Sequence, residues 1–305
     1  MTKRGCAECQ GKQYVLLRAA DRATARLCSC ARSCRHCQGT GYLYAEREET
    51  FSAKVGARTY ETLAPCVCRL LRQRVERYSD ARIPGVLAHA SFDNFRAFNE
   101  AQHGAKQAAT HFAHSYRKNT PIKGFILSGP VGTGKTHLLG AALGHLILEA
   151  GVQARYVEIS LLYATIRRGF QEGKSGGEII GPLSEVEVLA IDELGKGRGS
   201  PFELETLDEL IARRYNAGRT TLFGTNYSLE PQRAAAPATF KGYRPAEDTK
   251  LNAPRELELL RERVGERIYS RLCEMCDFLS LPPETPDQRR TKQELMDRPT
   301  PRAVS

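Results

Sequence analysis

Residues 129–136, which read GPVGTGKT, have the types and spacing needed to hold a phosphate chain. They match the pattern G-x-x-x-x-G-K-S/T, in which glycines let backbone N–H groups converge on phosphate oxygens. Lys135 would reach the β- and γ-phosphates, and Thr136 would bind Mg²⁺. A strand pattern precedes the loop and a helical pattern follows it, so the positive end of a helix would face the same phosphates. The predicted nucleotide contacts are Gly129, Pro130, Val131, Gly132, Thr133, Gly134, Lys135 and Thr136.

Two further apolar stretches end in polar residues that suit phosphoryl transfer. VEVLAIDE ends in Asp192 and Glu193, and TLFGTN ends in Asn226. Asp192 would complete the Mg²⁺ shell, and Glu193 would orient and polarise the attacking water. The amide of Asn226 could contact that water or the γ-phosphate, although an asparagine at a strand end is by itself an ordinary turn former. Together with the phosphate loop, these residues predict a hydrolytic nucleotide site.

Eight cysteines between residues 6 and 68 occur as four close pairs, a pattern typical of structural Zn²⁺ sites. CAECQGKQYVL and CRHCQGTGYLY are two copies of one C-x-x-C-Q-G-x-x-Y unit, and each is followed by a C-x-C pair. The repeat favours one site of Cys6, Cys9, Cys28 and Cys30, and another of Cys34, Cys37, Cys66 and Cys68. Other pairings, including an interleaved one, stay open. A later C-x-x-C, Cys273 and Cys276, has no second pair nearby in sequence and is predicted to pack as small apolar side chains.

The elements that would position these groups fall into two sets. Two short hairpins are predicted around the cysteines, followed by a helix over residues 69–78. Beyond residue 100, strand and helix patterns alternate, which predicts an α/β fold with a central parallel sheet and helices on both faces. The hairpin strands are expected at 14–18, 25–27, 42–46 and 58–63, and the sheet strands at 124–128, 154–159, 186–191, 220–225 and 276–281. The later helices are expected at 104–118, 135–150, 160–171, 202–216 and 255–273.

The predicted organisation is a small zinc-stabilised β-hairpin domain at 1–78, an ATPase domain at 79–285 and a flexible tail at 286–305. Residues 231–254 are rich in Ala and Pro and are predicted to form a poorly ordered insertion. The formal net charge of +10 suggests a polyanionic partner, but thiolates bound to Zn²⁺ would offset part of it. The sequence has no long apolar run and no secretory signal, so we expect a cytoplasmic protein with no membrane contact.

Several stretches in the same order resemble the DnaC/IstB-type AAA+ ATPases, the bacterial replicative-helicase loaders and transposition helpers. They are IPGVLAHASFDNF (83–95), GPVGTGKTHLLGA (129–141), AIDELG (190–195), LDELIARRYNAGRTTLFGTN (207–226) and VGERIYSRL (264–272). The resemblance implies an AAA+ P-loop NTPase that hydrolyses ATP with Mg²⁺. It gives Asn226 the sensor role and Arg271 the role of an arginine finger acting on a neighbouring subunit. Arg289 or Arg290 could act as a second sensor.

In that family the segment after the second strand touches single-stranded DNA, and here it covers residues 160–177. Arg167, Arg168 and Lys174 could contact phosphates, and Phe170 could stack on a base. The alternative is an amphipathic helix in which Leu161, Leu162 and Phe170 pack inward and the arginines are merely solvated.

The leading hypothesis for function is an ATP-dependent loader of a replicative DNA helicase. It would assemble as an ATP-dependent homo-oligomer, bind single-stranded DNA and hold the helicase through its zinc region. A transposition helper ATPase of the IstB type is one alternative. A nucleotide-gated zinc adaptor without significant turnover is an alternative of another class.

Overall fold

A computed structural model describes most of the chain, and the bounds below refer to those residues. They are 6–31, 33–52, 56–118, 120–229 and 258–289. The predicted insertion at 231–254, Arg290 and the rest of the predicted tail beyond it lie outside the described residues. Among the described helices, none combines the length and apolarity needed to cross a membrane.

The N-terminal region contains two separate antiparallel hairpins, each a two-stranded sheet, as predicted. Strand β1 (Tyr14–Arg18) pairs with β2 (Ala23–Leu27), and β3 (Tyr42–Ser52) pairs with β4 (Gly56–Pro65). The second hairpin is much longer than the sequence pattern indicated. The sequence repeat is also a backbone repeat, because the Gln-Gly pair after each C-x-x-C has positive φ in both copies. That left-handed turn reverses the chain just after the cysteines and favours glycine at its second position.

The central sheet has five strands in the order β6-β7-β8-β5-β9, and every neighbouring pair is parallel. This arrangement confirms the predicted α/β fold. All side chains of β5, β7 and β8 are buried, as expected for strands covered by helices on both faces. The strand bounds are β5 Gly124–Ser128, β6 Ala154–Glu158, β7 Val188–Asp192, β8 Thr220–Thr225 and β9 Cys276–Ser280.

Eight α-helices are described, and they begin and end near the predicted positions with two exceptions. Helix α5 was not predicted. The helix predicted over 255–273 was wrong in its described part, because Gly265 (φ 81°) interrupts it and divides α7 from α8. The bounds are α1 Val67–Asp80, α2 Glu100–Ser115, α3 Lys135–Leu148, α4 Ile159–Gln171, α5 Gly176–Glu185, α6 Pro201–Asn216, α7 Leu260–Val264 and α8 Glu266–Met275.

Helix α1 joins the cysteine region to the sheet. Its Val75 and Tyr78 belong to the same buried cluster as Tyr14 of β1 and the apolar side of α3. The Tyr78 hydroxyl donates a hydrogen bond to the Ala88 carbonyl at 2.9 Å. The predicted domain boundary at residue 78 therefore falls inside a helix that packs on the core of the sheet region, and the boundary itself stays a prediction.

A fully buried arginine ties the carboxyl end of α5 to the sheet. Arg214 of α6 is 0% exposed, and its guanidinium donates to the carbonyls of Leu183 and Val186 at 2.8 Å each. It also donates to the Thr221 hydroxyl at 2.8 Å and to the Thr220 carbonyl. Because burial penalises its charge, the pKa of Arg214 is lowered to about 9.

Candidate nucleotide, metal and nucleic-acid sites

The phosphate loop lies between β5 and α3, as the motif requires. Gly132 and Gly134 have φ of 84° and 98°, a backbone region that glycine adopts without strain. The Lys135 ammonium is buried and donates to the carbonyls of Gly129 and Pro130, both at 2.7 Å. Burial lowers the pKa of Lys135 to about 8, although the nearby charges of Asp192 and Glu193 oppose this shift. Two carbonyl oxygens of the loop therefore hold the lysine ammonium, and a phosphate oxygen could take their place as acceptor.

The two predicted Mg²⁺ ligands are in direct contact. The Thr136 hydroxyl donates to Asp192 Oδ2 at 2.7 Å, and the Glu193 backbone N–H donates to Asp192 Oδ1 at 2.9 Å. Tyr156 of β6, which the sequence did not single out, donates its hydroxyl to Asp192 Oδ2 at 2.8 Å. A hydroxyl and a carboxylate at the end of a parallel strand are the oxygen donors that Mg²⁺ takes beside a phosphate chain. The residues therefore fit Mg²⁺ at this corner.

Glu193 lies at the bend after β7 with φ of 57°, a conformation that non-glycine residues rarely adopt. Lys196 is hydrogen-bonded to its carboxylate and lies 3.6 Å from Glu158 Oε1. Burial raises the pKa of Glu193, and the neighbouring Glu158 adds to the shift while Lys196 opposes it. A carboxylate with a raised pKa is a better proton acceptor, which suits the predicted water-activating role.

The side chains predicted to act on the nucleotide, Lys135, Thr136, Asp192 and Glu193, line one cleft of about 540 Å³, within the size range of small-ligand sites. Asn226 lines the cleft at the end of β8, as predicted, and so does Arg289 from the segment after β9. The lining residues are Val86, Leu87, Val131, Gly132, Gly134, Lys135, Thr136, His137, Asp192, Glu193, Thr225, Asn226, Gln288 and Arg289. A second cleft of about 490 Å³ lies at the amino ends of the strands and is lined by none of the predicted site residues.

Sequence reasoning missed the residues that hold the phosphate loop from outside. Gln102 of α2 is fully buried, and its amide N–H donates to the carbonyls of Thr133 at 3.2 Å and Pro286 at 3.3 Å. The Gln288 backbone N–H donates to the Gly132 carbonyl at 3.0 Å. These contacts join residues far apart in sequence, so no local pattern could have revealed them.

The predicted finger residue is engaged within its own chain. Arg271 on α8 forms an ion pair with Asp208 of α6, and Arg267 lies 3.4 Å from the same carboxylate. Neither arginine lines the nucleotide cleft of its own subunit. The Arg267 side chain is largely exposed and the Arg271 side chain is partly covered. Action of Arg271 on a neighbouring subunit stays a prediction.

The predicted DNA segment spans α4 and the start of α5. Arg167, Arg168 and Lys174 are all exposed, and two of them have acidic neighbours: Arg167 lies 3.4 Å from Glu203, and Lys174 is 2.6 Å from Glu172. Phe170 is half exposed and meets Phe202 edge-on, with ring centroids 6.0 Å apart. The structure thus leaves a basic surface with an accessible aromatic ring, and DNA contact stays a prediction.

The alternative interpretation of this helix, with three apolar side chains packed inward, is only partly met. Leu162 is buried, but Leu161 is 62% exposed and Phe170 is 51% exposed.

The eight N-terminal cysteines form two clusters whose membership matches the predicted pairing. One contains Cys6, Cys9, Cys28 and Cys30, the other Cys34, Cys37, Cys66 and Cys68, and within each cluster all sulfur atoms lie within 4.8 Å of one another. Four thiolates at this separation are the donor set of a closed tetrahedral Zn²⁺ site. The Gly41 N–H also donates to Cys37 Sγ at 3.2 Å, a contact that would support a thiolate ligand. Cys276 is buried and donates to the Thr221 carbonyl, and Cys273 is exposed.

Comparison with known proteins agrees with this geometry. The family model described as "IstB-like ATP binding protein" matches residues 66–235. The replicative helicase loader DnaC of Escherichia coli (strain K12) is 31% identical over 143 residues, which are 47% of this chain and 57% of that protein. The loader of the same name from Buchnera aphidicola subsp. Baizongia pistaciae (strain Bp) is 32% identical over 135 residues, 44% of this chain and 54% of that protein. The chain thus spans a little over half the length of these curated relatives.

A crystal structure of the DnaC helicase loader aligns with a TM-score of 0.51 and 26% identity, covering 64% of this chain and 98% of that one. The region matched by the family model contains the phosphate loop, the Asp192–Glu193 pair and Asn226. Because that region is more than half of the 305 residues, the chain belongs to the family of IstB-like ATP binding proteins.

Proposed function

We propose that this protein is an ATP-dependent DNA replication protein that hydrolyses ATP with Mg²⁺ and loads a replicative DNA helicase. One observation carries the hydrolytic part: the hydrogen bond from Thr136 to Asp192 sits in the same cleft as Lys135 and Glu193. The likeness to DnaC loaders supports the choice of a helicase as partner. We place the protein in the cytoplasm, where such a partner would be met.

Each polar residue of the cleft has a separate role in the proposed hydrolysis. Lys135 exchanges the carbonyls of Gly129 and Pro130 for phosphate oxygens and adds positive charge where the transferred group becomes more negative. Thr136 and Asp192 would hold Mg²⁺, which would supply charge compensation for the phosphates. Glu193 orients the attacking water and accepts its proton, and Asn226 contacts the water or the γ-phosphate from the adjacent strand.

Turnover is proposed to need a homo-oligomer. Arg271 would leave Asp208 and reach the nucleotide of the neighbouring subunit when ATP orders the assembly. Alanine at Arg271 should lower turnover by about 10³-fold, whereas alanine at Arg267, which contacts the same Asp208, should change it little. Mixing Arg271→Ala subunits with Lys135→Ala subunits should restore part of the activity, because some mixed interfaces then contain both groups. No recovery in the mixture would rule out action between subunits.

Two regions outside the cleft are proposed to bind partners, one single-stranded DNA and the other the helicase. Arg167, Arg168, Lys174 and Phe170 would hold single-stranded DNA, since basic groups and one accessible ring suit a sequence-tolerant contact. The zinc region at 1–78 would hold the helicase, while 79–285 hydrolyses ATP and 286–305 forms the tail. Each cysteine cluster is proposed to bind one structural Zn²⁺.

Glu193→Gln tests the hydrolytic function. It should lower ATP turnover by at least about 100-fold and leave nucleotide binding intact, because it removes the base and keeps the shape. Glu185→Gln, which changes an exposed acid outside the cleft, is the matched control and should behave as wild type. Equal turnover in wild type and Glu193→Gln would favour the adaptor alternative.

The partner is tested separately with the purified cognate replicative helicase. Wild-type protein with ATP should bind it and increase its loading on a single-stranded DNA circle. Cys34→Ser with Cys37→Ser should abolish helicase binding but preserve ATP turnover, because the changes lie in the cysteine region. If wild type turns over ATP yet never binds the helicase, the loader function is wrong and the ATPase function stands.

A further inference from the structure

Asp192 is held at both carboxylate oxygens by donors from three different places in the chain. Oδ2 accepts from the Thr136 hydroxyl at 2.7 Å and from the Tyr156 hydroxyl at 2.8 Å. Oδ1 accepts the Glu193 backbone N–H at 2.9 Å. Both Tyr156 and Asp192 are almost fully buried, so water competes little for these bonds. The phosphate loop and β7 contribute two of the donors, and β6 contributes the third.

The neighbouring strand accommodates the carboxylate because it carries no side chain at Gly224. At Gly224 of β8 an added Cβ would lie 2.2 Å from Asp192 Oδ1, well inside the closest possible approach. The carboxylate therefore lies directly against the bare backbone of β8. Oδ1 therefore packs against β8, while Oδ2 faces the two hydroxyl donors, Thr136 and Tyr156.

A buried tyrosine hydroxyl needs a hydrogen-bond acceptor wherever it lies. The simplest explanation of the contact is therefore that Asp192 provides that acceptor and that the bond has no other role. Two other buried tyrosines, Tyr78 and Tyr116, make such a bond away from the cleft. Tyr78 donates to a backbone carbonyl, and Tyr116 donates to Glu187 at 3.2 Å, away from the cleft. Tyr156 differs because the oxygen that accepts its hydrogen bond, Asp192 Oδ2, also accepts one from Thr136. Asp192 and Thr136 are the two proposed Mg²⁺ ligands.

We propose that Tyr156 is a positioning residue for the Mg²⁺ corner: its hydroxyl holds Asp192 in the orientation that Asp192 and Thr136 need in order to hold the metal. This inference rests on the proposed Mg²⁺-dependent ATPase function and deepens it. Tyr156 touches neither nucleotide nor metal, so its effect is on metal affinity. Outer groups that orient metal ligands typically change metal affinity by about 10- to 100-fold.

Tyr156→Phe removes the hydroxyl and keeps the ring in the core. The Mg²⁺ concentration that gives half-maximal ATP turnover should rise about tenfold, and turnover at saturating Mg²⁺ should return close to wild type. The affinity for ATP measured in a chelator, without metal, should be unchanged. Tyr116→Phe removes the same kind of tyrosine–carboxylate bond outside the cleft and should leave the Mg²⁺ response as in wild type.

A purely structural role would lower the melting midpoint of Tyr156→Phe but leave its Mg²⁺ response like that of wild type, and this result would overturn the proposal. All assays run well below the melting midpoints of both variants, which keeps folding and metal affinity separate. If the wild type shows no turnover, the ATPase function fails. The Mg²⁺ dependence of binding to a fluorescent ATP analogue then serves as the readout, and an unchanged dependence in Tyr156→Phe again rejects the role.

Discussion

The cysteine region and the parallel-sheet region are stabilised in different ways. Between residues 6 and 65, the described apolar side chains that are buried comprise Tyr14, Ala23 and three cysteines. The sheet region buries two large clusters, and strands β5, β7 and β8 are buried along their whole length. A small region with so little apolar burial needs cross-links or metal, whereas a five-stranded sheet covered by helices does not. If this difference is real, removing the metal should affect the two regions more unequally than any single substitution.

Metal removal should separate the two regions most strongly. A chelator should release two Zn²⁺ per chain and unfold the hairpins, since the binding energy of structural Zn²⁺ is largely folding energy. Nucleotide binding should persist because the cleft residues lie in the sheet region. A thiol-reactive dye measures the cysteines that loss of zinc frees. Hydrogen exchange, read separately for the hairpins and the sheet, shows which region unfolds, and a nucleotide-binding assay shows whether the cleft survives.

A matched pair of variants controls for metal removal. Cys28→Ser should lose one Zn²⁺, whereas Cys273→Ser, at an exposed cysteine outside both clusters, should lose none. If the hairpins stay protected from hydrogen exchange after complete loss of zinc, the cysteine region does not depend on metal for its stability.

Arg214→Ala should produce a large single-residue loss in the sheet region. It leaves several buried carbonyls and the Thr221 hydroxyl without their donor, which should cost about 3–5 kcal/mol of unfolding free energy. Its neighbour Arg213 is half exposed and pairs with Glu209 on one helix face, so Arg213→Ala should cost less than about 0.5 kcal/mol. Denaturant melts with nucleotide bound and free measure both values. If the two variants lose similar amounts of unfolding free energy, the buried contacts of Arg214 do not contribute more than the exposed ion pair of Arg213.

Acid should weaken the sheet region through a stacked histidine pair. His114 and His145 have ring centroids 4.4 Å apart, and burial, reinforced by the charge of His114, lowers the pKa of His145 below its ordinary 6.5. Folding therefore disfavours the protonated form, so this stability is present above about pH 6.5 and is lost as the pH falls through the lowered value.

His145→Gln should reduce this pH dependence by a few tenths of a kcal/mol, because the pair is partly screened by solvent. Hydrogen exchange in α3 between neutral and mildly acid pH measures it. The exposed His36 offers a control, since His36→Gln should leave that dependence unchanged.

Tyr44→Ala should have the smallest effect of all. Tyr44 and its cross-strand partner Leu63 are 82% and 58% exposed, so removing the ring should change the unfolding free energy by less than about 0.5 kcal/mol. The same truncation at Phe125, buried in β5, should cost about 3–5 kcal/mol. Thermal melts of the two variants compare an aromatic residue from each region. A large loss for Tyr44→Ala would mean that the hairpin has a packed core after all.

Local patterns were enough to predict much of this molecule. The strands 14–18, 124–128 and 220–225 have the predicted bounds, because turn formers flank short apolar or β-branched runs. The cysteine clusters followed from spacing, since a repeated unit folds in the same way twice. The phosphate loop and the acids after β7 followed from motifs whose chemistry fixes residue type and order.

The failures have a common physical cause in long-range contacts and in weak local signals. Helix α5 begins with two glycines and contains Pro182, so its propensity is poor, and its end is fastened by Arg214 from another helix. Tyr156 and Gln102 act through partners distant in sequence, which no period or motif encodes.

The close approach of β8 to Asp192 has a consequence for sequence variation. Position 224 should stay glycine in relatives that keep an aspartate at 192, and the two positions should change together where that acid is lost. Gly124 should also stay glycine, because a methyl group there would lie 1.8 Å from the Thr221 carbonyl oxygen of β8. A designer of this sheet therefore has to keep Gly224 for the acid that lies against it and Gly124 for the close approach of β5 and β8.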